Sequence, residues 1–193
     1  MKIYFAGPLF TPYVRQFISE HAQILRENGI DPFVPHEQPF TALDAVKVEK
    51  LLAEGLVQPA DLEGKPAAMA VMDLIRAGRL SREQAGLPPI SPETVFNVDY
   101  GGLSSADAVL AILDGTQVDD GTACEIGIFH ALKLQDPSKK GIVGLMTDQR
   151  GSRKKAHGWG LNLFVLGILE DDGVIVDNFD DALAQLKAWA AET

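Results

Sequence analysis

The sequence predicts a three-layer α/β fold, in which helices flank a mainly parallel sheet of five strands. Three observations predict it. Short apolar runs typical of buried strands alternate with longer stretches of helical periodicity. The chain opens with a strand, a helix and a second strand, an order that implies parallel strands and a right-handed crossover. The length of 193 residues fits one such domain with a substantial core.

Local patterns predict the opening elements. Lys2 to Ala6 is a short β-rich run, and the Gly-Pro pair that follows marks its end. A helix is predicted over Tyr13 to Asn28, where apolar residues recur at helical spacing, and Gly29 suits its C-terminal cap. Pro32 to Pro35 is predicted as the second strand.

The stretch 41–93 is predicted as a helical excursion at the edge of the sheet, within a single domain that covers 1–193. Two helices are expected in it, over Thr41 to Gly55 and Lys65 to Gly78. Glycines and prolines interrupt the rest of the stretch. We expect Gly55 to Pro92 to be too short to bury a core of its own.

Sequence patterns in the second half of the chain predict the remaining helices and strands. In order they are a helix or turn over Thr94 to Ser105, a strand over Asp107 to Leu113, an apolar helix that begins near Gly121, a strand over Gly141 to Thr147, a helix over Leu161 to Glu170, a turn at Asp171-Asp172-Gly173, a strand over Gly173 to Val176 and a helix over Asp180 to Ala191. Asp148 to Gly160 is polar, basic and glycine-rich, which predicts either a plain surface loop or a loop that closes over a site.

Composition excludes several functional classes. The net charge of -10 and the pI near 4.8 argue against nucleic acid or an anionic membrane surface as a partner. The single cysteine, Cys124, cannot form an internal disulfide, and no metal-type Cys/His spacing occurs. No dinucleotide or Walker motif is present. Without a signal peptide or an apolar run of membrane-spanning length, the expected location is the cytoplasm.

The helix after the Asp107 to Leu113 strand carries one conspicuous carboxylate. Glu125 shares a predicted helix face with Ile128, Phe129 and Leu132. An ionised carboxylate on an apolar face is unfavourable unless a charged or hydrogen-bonding group meets it. One alternative is purely structural, because Thr122 as N-cap and Glu125 at the third helical position match a capping box. The other alternative is that Glu125 takes part in a chemical reaction.

Acidic residues near the start of the same helix favour a chemical role for Glu125 over a purely structural one. Asp114, Asp119 and Asp120 lie in the loop that precedes the helix, although Asp119 and Asp120 also suit turn or N-cap positions. Ligands of open α/β sheets bind at such carboxyl ends of strands. Carboxylates without a metal motif suit acid/base or covalent chemistry at a sugar carbon. A carboxylate near a helix N-terminus stays ionised, which suits a nucleophile.

Other polar residues have plain structural explanations beside functional ones. Tyr4 lies in the first strand and needs a partner for its hydroxyl, in the core or at a site. Gly7 would let backbone approach a ligand, and a tight turn explains it equally well. By itself Asp99 suits a solvated or capping acid. Asp107, at the far end of its strand, is predicted to be structural, and His130 to be a core or interface residue.

Several segments together resemble the nucleoside 2-deoxyribosyltransferase family. They are IYFAGPLF at 3–10, NVD at 97–99, ADAVLA at 106–111, DDGTACEIG at 119–127, TDQR at 147–150 and NLF at 162–164. These segments occur in order over most of the chain, and the DxGTxxEIG segment is the most specific of them. The chain departs from the pattern in its long 41–93 stretch and in its C-terminal helix.

The resemblance implies a flavodoxin-like (Rossmann-like) sheet and a glycosyltransferase of the pentosyltransferase class that acts in nucleotide salvage. Such an enzyme uses no cofactor and no metal. A glutamate attacks C1′ of a deoxynucleoside and expels the base, and a second purine or pyrimidine base then takes the sugar with net retention. The implied partners are nucleosides, free nucleobases and further copies of the chain, in a homo-oligomer whose subunits share sites.

The resemblance also implies roles for individual residues. Glu125 corresponds to the nucleophile, Tyr4 to the tyrosine that positions it, and Asp99 to the acid that manages the proton on the base. Asp119 corresponds to the acid near the sugar hydroxyls, and Asn162 to an asparagine that a neighbouring subunit lends to the 5′-hydroxyl.

Four further residues are predicted to bind substrate. Phe10 and Gln38 are expected to lie against the base, and Gly7 and Gly121 belong to the matching segments. Two other functions stay open. One is an N-glycosidase of the same superfamily that uses water as acceptor, and the other is a nucleoside-binding module without catalysis.

Overall fold

A computed structural model describes residues 1–38, 43, 45–87, 90–150 and 160–192. The described residues form five strands, β1 (Lys2–Ala6), β2 (Asp31–Phe33), β3 (Ala108–Ile112), β4 (Gly141–Leu145) and β5 (Gly173–Val176). They also form seven α-helices, α1 (Pro12–Glu27), α2 (Ala45–Ala53), α3 (Ala67–Arg76), α4 (Pro92–Ser104), α5 (Asp120–Gln135), α6 (Leu163–Asp172) and α7 (Phe179–Ala191). Among these helices, none has the length and apolar character that crossing a bilayer requires.

The strands form one sheet in the order β2-β1-β3-β4-β5, and every pairing is parallel. This order is that of flavodoxin-like folds, so the predicted three-layer architecture is confirmed. The direction of strand addition reverses between β1 and β3, where Tyr4 pairs with Val109. Ligands of such sheets bind outside the carboxyl ends of the strands at this reversal. The topology therefore predicts a ligand site beside the residues that follow β1 and β3.

Side chains of the central strands alternate between two buried layers, as the period of two requires. One layer contains Tyr4, Val109, Ile126 of α5 and Leu169 of α6. The other contains Phe5, Leu110, Ile18 of α1 and Leu186 of α7. Because β1 and β3 are buried on both faces, their near-continuous apolar sequences are those of central parallel strands.

The chain divides into two compact units. The sheet and its flanking helices belong to the first, and the second covers His36–Asp99, which includes the stretch set apart by sequence. The second unit has its own cluster of buried apolar side chains, among them Leu51 of α2 and Val71 and Leu74 of α3. The expectation that Gly55 to Pro92 is too short for a core of its own stays a prediction, because the cluster also includes Val48 and Leu51, which precede that stretch. Short amphipathic helices meet there and bury one another's apolar faces.

Two element boundaries differ from the sequence prediction for identifiable reasons. The segment after the second unit's last loop is a helix from Pro92, because Ser91 Oγ accepts a hydrogen bond from the amide of Thr94. The predicted turn at Asp171-Asp172-Gly173 is wrong, since α6 continues through Asp172 and β5 follows at once. The Asp172 carboxylate pairs with His130 and with Lys133 Nζ at 2.7 Å, both from α5.

Candidate active site

A hydrogen bond joins the first strand to the helix that carries the conspicuous carboxylate. Tyr4 is fully buried in β1, and its ring stacks on Phe33 with 5.4 Å between ring centroids. Its hydroxyl donates to Oε1 of Glu125 over 2.5 Å. Glu125 is half-buried, and this carboxylate oxygen meets a side chain of the sheet. The two residues that the sequence paired are therefore in direct contact.

Asp119 starts the helix. As N-cap of α5, its Oδ2 accepts hydrogen bonds from the amide of Thr122 at 3.1 Å and from the Thr122 hydroxyl at 3.4 Å. The alternative in which Thr122 caps the helix and Glu125 completes a capping box is therefore wrong. A Cβ at Gly121 would lie 3.0 Å from Asp119 Oδ2, so glycine leaves room for this cap.

Because Asp119 is the N-cap, Glu125 lies beyond the first turn of α5, where the helix dipole stabilises a negative charge only weakly. The side chain lies six residues after the N-cap, about 9 Å along the helix axis. The helix macrodipole acts mainly within the first turn, so it contributes little there. The phenol of Tyr4 is instead a donor that would stabilise an ionised carboxylate, because a hydrogen bond to a charged acceptor is stronger than one between neutral groups.

A cavity of about 650 Å³ opens where β1, β3 and β4 end. This volume is in the range of small-molecule sites. Of the predicted site residues, Phe10 and Asp119 line it, whereas Tyr4 and Glu125 are not among its described lining residues. Asp119 connects the two features, because it faces the cavity and also fixes the start of the helix that bears Glu125.

The cavity has an apolar wall and an acidic wall. Phe10 and Tyr13 contribute largely exposed rings, with 81% and 82% of their surface accessible, beside Val14 and Phe17 of α1. The acidic wall contains Asp114, Asp119 and Asp120. An aromatic ring can lie against the first wall while a hydroxyl group donates to Asp119 in the second.

The loop after β1 is held by packing and by one cation. A Cβ on Gly7 would lie 3.2 Å from Cδ1 of both Ile18 and Ile112, so close packing alone explains this glycine. Arg15 Nη1 donates to the carbonyl of Leu9 over 2.5 Å. These contacts fix the loop that presents Phe10 to the cavity.

Two predicted site residues belong to the second unit. Asp99 lies in α4 and is half-buried, and its Oδ1 has no hydrogen-bond partner among the described residues. Burial raises the pKa of Asp99 to about 6. A carboxyl group with this pKa exchanges a proton readily near neutrality, which suits an acid that serves a leaving base. Gln38 is also half-buried in this unit.

Asn162 stands at the start of α6. Its Oδ1 accepts a hydrogen bond from the amide of Phe164 at 2.9 Å, so it caps the helix, and the residue is exposed. Leu163 and Phe164 beside it are 77% and 80% exposed. Of the predicted loop from Asp148 to Gly160, residues 151–159 lie outside the described part of the chain.

Three side chains among the described residues are spaced so that they could hold a metal ion, namely His130, Asp171 and Asp172. The ammonium group of Lys133 already lies 2.7 Å from Asp172 Oδ1, and His130 pairs with the other oxygen. His130, Lys133 and Asp172 therefore form a polar cluster that joins α5 to α6, and Asp171 is exposed beside it. Sequence reasoning missed it because the partners are far apart along the chain.

Asp107 behaves as predicted. Its Oδ2 accepts a hydrogen bond from the Lys2 amide at 2.7 Å, which ties the start of β1 to the residue before β3. From the sequence, Asp114 is placed in the loop before α5 and Asp148 at the start of a later loop. Both acids lie within three residues of the carboxyl ends of β3 and β4, and they stand out only once these strands are known to be neighbours.

Solved structures with similar folds cover nearly the whole chain. A conserved protein from Enterococcus faecalis V583 has a TM-score of 0.61 and 21% identity, over 97% of this chain and 98% of its own. A 2-deoxyribosyltransferase from Bacillus psychrosaccharolyticus has a TM-score of 0.52 and 18% identity, over 95% and 90%. A 2-desoxiribosyltransferase from Leishmania mexicana has a TM-score of 0.54 and 18% identity, over 95% of both chains. At these identities the likeness establishes the fold.

Comparison with known sequences identifies the family of this chain. A search of the curated proteins found no match to the chain. The family model described as nucleoside 2-deoxyribosyltransferase matches residues 3–184, which is nearly the whole sequence and includes the strand of Tyr4 and the helix of Glu125. The chain therefore belongs to the nucleoside 2-deoxyribosyltransferase family.

Proposed function

We propose that this protein transfers the 2-deoxyribosyl group from one nucleobase to another through a covalent intermediate on Glu125. The observation that carries the proposal is the 2.5 Å hydrogen bond from the Tyr4 hydroxyl to the Glu125 carboxylate. A nucleophile must be ionised and oriented, and a hydrogen bond from a fully buried phenol favours both. Family membership supports the same assignment.

The reaction consists of two displacements at C1′ of the sugar. In the first, a Glu125 oxygen forms a bond to C1′ while the bond from C1′ to the base nitrogen breaks, and the base leaves with the electron pair. Asp99 supplies a proton to the departing base. In the second, a nitrogen of the incoming base attacks C1′, releases Glu125 and returns the proton to Asp99. Two inversions give net retention.

The remaining residues hold the two parts of the nucleoside. Phe10 and the apolar wall of the cavity receive the base. The resemblance to the family adds Gln38 and the backbone at Gly7 and Gly121 as further contacts. Asp119 accepts hydrogen bonds from the sugar hydroxyls. Asn162 of a neighbouring copy reaches the 5′-hydroxyl, so the working form is a homo-oligomer. The scheme uses no cofactor and no metal.

The acidic wall favours a nucleoside over a nucleotide. Asp119 lines the cavity together with Asp114 and Asp120. A phosphate about 4 Å from one carboxylate would meet a repulsion of about 4 kcal/mol at an effective dielectric constant of 20. A substrate with a free 5′-hydroxyl avoids this repulsion and offers a donor to the carboxylate.

Incubation with deoxyinosine and free adenine tests the reaction. Formation of deoxyadenosine means transfer, whereas hypoxanthine with free deoxyribose means hydrolysis by the alternative N-glycosidase route. Absence of turnover with retained nucleoside binding would indicate a binding module. Intact-mass measurement after addition of a 2-fluorinated deoxynucleoside tests the intermediate. We expect a sugar adduct that maps to Glu125 and that is absent from the Glu125→Ala variant.

A further inference from the structure

We propose that Asp114 and Asp148 are positioning residues that together hold the acidic wall of the cavity in place. Each follows the carboxyl end of one of two adjacent strands, β3 and β4, and each accepts hydrogen bonds from the backbone that follows the other strand. We call this arrangement the crossed clamp, formed by Asp114, Gly115, Thr147 and Asp148. Its effect on substrate rests on the function proposed above, whereas its effect on the loop does not.

Asp114 forms the first half of the crossed clamp. Its Oδ1 accepts hydrogen bonds from the amides of Thr147 at 2.7 Å and Asp148 at 3.1 Å. Its Oδ2 accepts one from the Thr147 hydroxyl at 2.5 Å. Both oxygens therefore face donors of the protein, although the residue lines the cavity. This occupation distinguishes Asp114 from an acid that is available to the ligand.

Asp148 forms the second half. Its Oδ2 accepts a hydrogen bond from the amide of Gly115 at 2.8 Å, and its Oδ1 accepts one from the amide of Arg150 at 2.8 Å. The Arg150 guanidinium lies against the same carboxylate at 3.1 Å and also donates to the carbonyl of Leu113. Burial by itself raises the pKa of Asp148, but the hydrogen bonds from Arg150 and Gly115 outweigh it and lower the pKa.

The clamp acts on the loop that leads to the sugar-binding acid. Gly115 lies between Asp114 and the cap of α5, and its φ of +128° is one that residues with side chains rarely adopt. The loop is fixed at its start by the crossed clamp and at its end by the Asp119 cap. Asp114, Gly115, Thr147 and Asp119 all line the cavity. Loss of the clamp would therefore displace the loop that carries Asp119 and with it the acidic wall of the cavity.

The hydrogen-bond pattern predicts different tolerance to amide substitution. In Asp114→Asn the remaining oxygen keeps both amide donors, and the new NH₂ group donates to the Thr147 hydroxyl, which can also accept. In Asp148→Asn no such exchange works, because backbone amides face both oxygens and the new NH₂ group would oppose one of them. An acid that acted on the ligand by its charge would give no such contrast.

The first experiment measures KM and kcat of deoxyribosyl transfer for Asp114→Asn, Asp114→Ala and Asp148→Asn. We expect Asp114→Ala and Asp148→Asn to raise KM for the deoxynucleoside about tenfold with a smaller change in kcat, and Asp114→Asn to raise it about twofold. Asp31→Asn, an exposed acid at the opposite end of the sheet, is the matched control. Equal losses in Asp114→Asn and Asp114→Ala would overturn the proposal, since they would mean that the charge itself acts on substrate.

The second experiment is independent of activity. Amide hydrogen exchange of the peptides that contain Gly115 and Thr147 should speed up in Asp114→Ala and Asp148→Asn, with wild-type protection in the control. Unchanged exchange would overturn the clamp even in an active enzyme. If the wild-type protein does not transfer deoxyribose, the proposed function fails while the exchange result still decides on the clamp. Thr147→Val, which deletes only the hydroxyl donor, replaces Asp148→Asn if that variant does not fold.

Discussion

The hydroxyl of Tyr4, on the central strand β1, lies 2.5 Å from Oε1 of Glu125, on the helix that follows β3. A half-buried carboxylate among apolar neighbours is unfavourable without a donor, and this phenol is one. The pair therefore links the core of the sheet to the reacting group of the proposed mechanism. A change at Tyr4 should affect the chemistry while the fold stays intact.

Tyr4→Phe tests this link directly. The variant keeps the ring that stacks on Phe33 and deletes only the donor to Glu125. Since a hydrogen bond to a charged group contributes about 1.5–3 kcal/mol, we expect kcat for base exchange to fall about 10- to 100-fold. Steady-state kinetics and a thermal melt measure both effects, with Asp31→Asn, an exposed acid at the opposite end of the sheet, as control. A kcat equal to that of the wild type would contradict the assignment of Tyr4.

Asp99 gives a pH-dependent prediction for activity. Its pKa is raised to about 6 by burial, so the protonated form is well populated only below that pH. If Asp99 donates a proton to the leaving base, kcat/KM should decline as pH rises through 6, and Asp99→Asn should lose this dependence along with most of the activity. A pH profile of kcat/KM from 4.5 to about 8.5 checks it. A decline that persists in the variant would assign it to another group.

The same raised pKa predicts that stability also declines with rising pH, whereas Asp99→Asn should lower activity and raise stability. The folded state binds the Asp99 proton more tightly than the unfolded chain, whose carboxyl titrates near 3.8, so the free energy of unfolding should decrease as pH rises between about 4 and about 6. Asp99→Asn removes this penalty. We expect the variant to gain on the order of 1 kcal/mol at pH 7, after allowance for solvent screening, and nothing near pH 4. Urea denaturation at the two pH values measures the difference.

The lowered pKa of Asp172 predicts that its contribution to the free energy of unfolding increases as pH rises, opposite to that of Asp99. Burial alone would raise its pKa, but hydrogen bonds from Lys133 and His130 dominate and lower it. Its contribution is therefore present at neutral pH and is lost as pH falls below the ordinary aspartate range. Asp172→Asn should destabilise the protein by about 1–3 kcal/mol at pH 7, and the difference should shrink at acidic pH. The exposed neighbour in Asp171→Asn provides the control, and equal effects of the two substitutions would contradict the salt-bridge explanation.

Periodicity was sufficient to predict the sheet and most helices, because buried strands and amphipathic helices have different spacing. It could not choose between Asp119 and Thr122 as the cap of α5, since both residue types cap well and the choice depends on which oxygen reaches the amide. Asp172, the last residue of α6, accepts a hydrogen bond from Lys133, which lies 39 residues away in the sequence. The crossed clamp requires knowledge that β3 and β4 are neighbours in register, with Ile112 opposite Leu145. Such long-range pairings leave no local signal.

Asn162 and its neighbours predict an assembly in which subunits share sites. Asn162 is exposed at the cap of α6, and the largely exposed Leu163 and Phe164 beside it form an apolar surface that suits a second copy of the chain. We expect Phe164→Ser to lower the oligomer mass measured by light scattering. Leu134→Ser, a comparably exposed apolar residue on α5, is the control and should leave the mass unchanged.

Mixing two inactive variants tests whether the site crosses the interface. If Glu125 of one copy works with Asn162 of another, Glu125→Ala and Asn162→Ala proteins that are denatured together and refolded should form hybrids that contain some intact sites. For random pairing of equal amounts, about one quarter of the sites combine two wild-type residues, so transfer activity should recover to about that fraction. Each variant refolded alone should stay inactive. If both residues serve the same subunit's site, mixing restores nothing, and Asn162 then acts within its own chain.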